Sequence, residues 1–210
     1  MTDTKFVYDE LLKLGIDVYG YHIRIHDVGL STIMLHGGKN ITRKTAGLAV
    51  HCGHRHDIYL LSSLNSTKRK GVLAHELGHV WLQEHRSPLR NLRVENEGFC
   101  ELLAYKIFGA INTNEARLLR RGMLAGRIPI YSDGFRMMRR RAEEMGWEAF
   151  LSAADGLNQP AQTRTRPRFV IRDTTPPRLH IVDLPISYVP IQKPFSITKV
   201  TPARFTIKSG

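Results

Sequence analysis

One string restricts this chain more than any other: Gly71-Val-Leu-Ala-His75-Glu76-Leu-Gly-His79-Val-Trp-Leu-Gln-Glu84. Val72, Leu73, Leu77, Val80 and Trp81 are apolar at helical spacing and can face a core. On a helix, residues four apart lie one turn apart on the same face, so His75 and His79 can reach one cation. Glu76, beside the first histidine, can touch a water on that cation without binding the cation itself. Zinc brings the pKa of such a water toward about 7, where a carboxylate can take its proton. Gly78 lies mid-helix, where glycine costs about 1 kcal/mol relative to alanine. Close approach of another backbone is the expected reason. The bland alternative is a pair of helix histidines kept for structure.

A hydrolytic site needs a third protein ligand and an open fourth position. A second helical stretch, Val94-Glu-Asn-Glu97-Gly-Phe-Cys-Glu101-Leu102, offers it. Glu97 and Glu101 are one turn apart and share a face. Glu97 is the expected ligand. Glu101 is the expected acceptor of a ligand histidine's second ring N–H, a bond that fixes tautomer and orientation. Glu95 is the competitor, although a carboxylate at a helix start needs no further explanation.

Around these helices the pattern reads as an α+β domain. Residues 4–14 have helical spacing and stop at Gly15. Between residues 19 and 64, YHIRIHDV, STIMLHGG, TAGLAVHC and DIYLLSSL read as short strands of a small, mostly antiparallel sheet. Helices are expected over 67–84, 94–110, 114–125 and 133–154, with Asp133 as a cap and Gly146 as a break. Composition shifts near residue 157: eight of the ten prolines lie in 157–210. Proline at that density forbids long helices and most central strands. Yet FVIR, LHIVDL, ISYVPI and FTIK keep the segment apolar. The expected division is a metallopeptidase domain over 1–156 and a basic, extended arm over 157–210 that packs on its own domain or on a partner.

The net charge of +12 suits acidic partners, nucleic acid included. Solvated helix faces and turns are the preferred account, because much of the charge falls in short clusters such as Lys68-Arg69-Lys70 and Arg139-Arg140-Arg141. No run approaches the roughly 20 apolar residues that span a bilayer, and no secretory leader is visible. Two cysteines, Cys52 and Cys100, exclude a disulfide framework. The expectation is a cytoplasmic protein with reduced thiols.

Further candidates are weaker. Tyr131 and Arg136 can stabilise an oxyanion; the alternatives are helix-start packing and a surface charge. His51, Cys52, His54 and His56 can bind a second metal, although their spacing matches no standard zinc pattern and a turn between strands explains them. Cys100, three residues after Glu97, is either a thiol facing the metal or a small core residue. His85 suits the end of the first helix.

Asn96-Glu97-Gly98-Phe99 resembles the N-E-G-F string of aminopeptidases of the glutamate-zincin class, and the 17 residues between His79 and Glu97 are close to that class's usual separation. A closer resemblance is to the DA-one family, the plant LIM-domain, ubiquitin-activated peptidases and their bacterial relatives. Leu73–Leu82 looks like its A-H-E-x-x-H-x-W-L block, Glu97–Lys106 like its E-G-x-C-x-x-x-A-Y block, and Ile130–Arg136 like its Y-G-D-G-F-R block. The likeness spans roughly 45–155. It implies a zincin-like fold, Zn2+ and endopeptidase activity on protein or peptide substrates. The LIM and ubiquitin-binding modules have no counterpart here, so ubiquitin activation does not carry over. Two readings compete: a stress-response peptidase that cuts one repressor, and a non-catalytic basic protein that binds nucleic acid or an assembly and keeps zinc for structure.

Overall fold

The computed structural model describes residues 2–37, 45–125, 129–157 and 178–182. For 129–132 and 178–182 the backbone alone is described. The elements run α1 (Asp3–Lys13), β1 (His22–Val28), α2 (Leu30–Gly37), β2 (Gly47–Cys52), β3 (Arg55–Leu61), α3 (Ser66–Glu84), a 3-10 turn (Pro88–Asn91), α4 (Arg93–Ala110), α5 (Asn114–Leu124), α6 (Pro129–Met145), α7 (Trp147–Ala154) and β4 (Arg178–Val182). The fold is α+β, and among the described residues no helix is long and apolar enough to cross a membrane.

β2 and β3 form an antiparallel hairpin whose turn uses Gly53 at φ +63°, a conformation that favours glycine. β1 pairs with β3 in parallel, so the sheet is mixed. The fourth strand, from the proline-rich arm, joins β2 antiparallel and completes the order β1-β3-β2-β4. The rest of 157–210 lies outside the described residues, apart from Leu157 itself.

One expected strand is a helix. Residues 31–37 of STIMLHGG fall in α2, which buries Ile33 and Gly37 while Leu35 is exposed, and the last glycine lies outside the described residues. Strand alternation and helical spacing are hard to separate in so short an apolar run. Topology decides it, because parallel β1 and β3 need a crossover between them. Ile33 of α2 packs with Leu48, Val50, Tyr59 and Leu61 on one face of the sheet. The other face, with Ala49, Ile58 and Leu60, belongs to the main core shared with α3 and α4. The helix expected over 133–154 is two: α6 begins four residues before Asp133, at Pro129, and Gly146 at φ +81° separates it from α7. Proline is favoured at a first helical position, where its missing N–H costs nothing.

α3 starts at Asn65, whose side chain accepts the Lys68 N–H. From Gly71 to Leu82 every residue of α3 is buried. A helix buried on all sides is a core helix, so the two histidines are fixed by packing and not by a solvated face.

Candidate metal centre

α3 and α4 cross closely, and small residues permit it. A Cβ on Gly78 would stand 2.9 Å from Cys100 Sγ and 3.3 Å from the Cys100 backbone, the close approach expected for this glycine. On its other side α4 meets α6, where Gly98 and Gly134 touch backbone to backbone. These contacts bring the acidic face of α4 to the histidines of α3.

His75 Nε2 and His79 Nε2 lie 3.1 Å apart. Glu97 Oε2 is 3.3 Å from His75 Nε2 and 3.8 Å from His79 Nε2. A tetrahedral ion with bonds of about 2.0–2.1 Å separates its ligand atoms by roughly 3.3 Å. The three expected ligand atoms therefore converge at metal-site spacing. Glu95, in the first turn of α4, is only half-buried and forms no described ion pair with either ring.

The outer partners of the rings differ. Glu101 Oε1 stands 3.5 Å from His75 Nδ1, on the side away from Glu97. His79 Nδ1 bonds to Asn96 Oδ1 at 2.7 Å, and the Asn96 amide donates to the Arg90 carbonyl. Asn96 is the functional neighbour that sequence reasoning missed. The signal was its place directly before Glu97 on a helix crossing α3.

The pocket is rich in buried carboxylate. Glu76 and Glu101 are buried and Glu97 nearly so, with Glu76 held against the Ala49 backbone and Glu97 Oε2 against the two rings. Burial alone would push the His75 ring down, but Glu101 and Glu97 at its two nitrogens outweigh this and hold it up at about 10. Burial pushes the Glu76 carboxyl up to about 8, with the His75 charge opposing. A buried carboxylate is relieved by taking up a proton or by a nearby cation, and a divalent ion would be such a cation. This donor set fits a divalent metal.

Cys100 is buried against the same residues, and its Sγ is 3.4 Å from His79 Nδ1. His75, His79 and Cys100 form a buried group whose ligand atoms all lie within 4.8 Å of one another and could hold a metal ion. In the present ring orientation Sγ faces Nδ1, the nitrogen that already bonds Asn96. Burial, followed by the neighbouring carboxylates, raises the Cys100 thiol well above its ordinary pKa.

Other expected residues are not gathered here. Arg136 is 55% exposed in its side chain and pairs with Asp133, one turn earlier on α6, with no described contact to the metal residues. Tyr131 lies in the first turn of α6, and its side chain falls outside the described residues. The cluster at 51–56 disperses: Cys52 is exposed and the His54 side chain is 93% exposed. His51 Nδ1 and His56 Nδ1 are 2.7 Å apart, and His56 Nε2 is 2.7 Å from Glu84 Oε1. Those are proton-sharing distances, shorter than two nitrogens on one ion adopt. His85 caps the C-terminus of α3, stacked on Trp81 and paired with Asp155.

No family model, no curated protein and no solved structure matches this chain.

Proposed function

We propose that this chain is a zinc-dependent peptidase acting on protein substrates, with His75, His79 and Glu97 holding the ion and Glu76 as general base. The observation that carries it is the convergence of His75 Nε2, His79 Nε2 and Glu97 Oε2 at 3.1–3.8 Å, next to a buried carboxylate one residue from the first ligand. The resemblance to the DA-one peptidases supports it, because its first two motifs supply these residues and its third lies on α6, packed against α4.

When bound, zinc supplies a Lewis acid for the scissile carbonyl and an acidified water. The protein's own groups do the rest. Glu76 accepts the proton of the attacking water and returns it to the leaving amine. Asn96 holds the His79 ring with Nε2 toward Glu97, and Glu101 stands on the Nδ1 side of His75. Both arrangements leave the inner nitrogens for the ion.

Metal analysis with proteome-wide cleavage mapping tests this reading. Glu76→Gln is expected to retain about one zinc per chain and to lose cleavage by at least 100-fold, the usual scale for an acid–base residue. Cleavage at the wild-type rate by Glu76→Gln would remove the base assignment.

A second reading has its own observation, the His75–His79–Cys100 group. A thiolate closing the coordination sphere would make the ion structural and the basic surface the functional part. Cys100→Ala separates the two. The peptidase reading expects zinc affinity to stay within a few-fold, whereas a Cys100 ligand expects loss of the ion.

A further inference from the structure

A strand has two hydrogen-bonding edges, and both edges of β2 are taken. β3 occupies one over Gly47–Cys52. β4 occupies the other, antiparallel, with Gly47 opposite Val182, Leu48 opposite Ile181, Ala49 opposite His180, Val50 opposite Leu179 and His51 opposite Arg178. β2 is also the strand against Glu76: a Cβ on Gly47 would stand 2.5 Å from Glu76 Oε1 and from Val72 Cγ1. Paired strands lie about 4.8 Å apart. The β4 backbone opposite Gly47 and Ala49 therefore runs one strand spacing beyond the segment that touches the catalytic carboxylate.

An extended peptide bound by strand addition needs a free edge beside the site, because its affinity comes from main-chain hydrogen bonds to that edge. At β2 that seat is filled by the chain's own arm. We propose that Arg178–Val182 is a cis-acting occupant of the substrate-binding edge, so that β4 must leave β2 before a peptide is admitted. The proposal rests on the peptidase reading. It specifies that the substrate binds extended and antiparallel to Gly47–His51, and it assigns the arm the role of competitor. β4 and β2 belong to one chain, so their pairing is intramolecular and a free peptide has to compete with it.

The test uses the full-length chain loaded with zinc. Replacing His180→Pro and Ile181→Pro together removes two successive N–H groups. One of them faces β2 whichever way β4 alternates. On labelled casein, kcat/KM is expected to rise about tenfold through a lower KM. In a Glu76→Gln background, a fluorescein-labelled peptide of residues 177–183 is expected to bind the double-proline chain at least tenfold more tightly than the chain with its arm intact. Equal kcat/KM and equal peptide binding would overturn the proposal. So would rapid cleavage within residues 177–183 by the zinc-loaded wild type, because the arm would then be a substrate. If neither chain cuts casein but the labelled peptide still discriminates between them, the occupied edge stands and the peptidase reading falls. Hydrogen exchange on the unaltered chain gives a reading free of any substitution. Successive amides of Gly47–Cys52 should all be protected; protection of only the β3-facing alternates would show that β4 is not seated and would sink the proposal.

Discussion

His75 and His79 are held by different outer partners, so the two should respond differently to mutation. His79→Ala removes a proposed ligand, and zinc should be lost on dialysis against a mild chelator. Asn96→Ala removes the acceptor that orients His79. It should lower zinc affinity by roughly 10- to 100-fold without abolishing binding, as outer-partner substitutions do, measured by competition with a chromophoric chelator. The proton balance is also testable. In the metal-free chain His75 holds its proton up to about 10, chiefly through Glu101 and Glu97. An imidazole must shed that proton to bind metal. Zinc binding near pH 7.5 should therefore release at least one proton and weaken as pH falls. Calorimetry in buffers of different ionisation enthalpy reads the number directly. At this scale the shared face of His75 and His79 was legible in the sequence because the i, i+4 rule operates within one helix, and Glu97 was singled out as an expectation by its spacing from Glu101 and its N-E-G-F setting. Asn96 was not, because its partner lies on another helix and only the crossing of α3 with α4 brings them together. Arg136 failed for the opposite reason. A short motif names a residue type, while exposure and the Asp133 pair decide where the side chain goes.

Glycines set how the elements approach. A methyl on Gly98 would lie 2.3 Å from the Gly134 carbonyl carbon and oxygen, and one on Gly134 would lie 2.2 Å from the Val94 carbonyl oxygen. Backbone atoms cannot rotate aside, so α6 must move away from α4. Gly98→Ala should destabilise the fold by about 1–3 kcal/mol or more, the cost of overpacking a filled interior, read as a lower urea midpoint with an unchanged slope. Because Gly98 follows Glu97 directly, zinc affinity should fall with it. Most elements were legible, including α3 and the α6–α7 break at Gly146, since helical spacing and positive φ are local properties; the Asn65 cap of α3 was not singled out, and Asp133 lies inside α6 instead of capping it. The strand expected at STIMLHGG was not, because its two candidate periodicities differ only in what each face meets. Ile33 against Leu48 across the sheet settles it.

For the molecule as a whole, an ion bound among the buried carboxylates would be part of the fold. Chelation should lower Tm and zinc should restore it, since an ion that binds only the folded chain stabilises it by mass action. A metal-independent Tm would count against a bound ion at this site. The +12 charge belongs to this scale too and says nothing about chemistry. By itself the sequence determined an α+β chain with a pair of imidazoles and an adjacent carboxylate on one helix, because helix spacing and glycine stops act between near neighbours. Only the tertiary structure decided that α4 delivers Glu97 to those rings, that β1 and β3 run parallel, and that part of the proline-rich arm closes the β2 edge. Those outcomes join residues distant along the chain, and backbone pairing and close packing select among partners that no local pattern distinguishes.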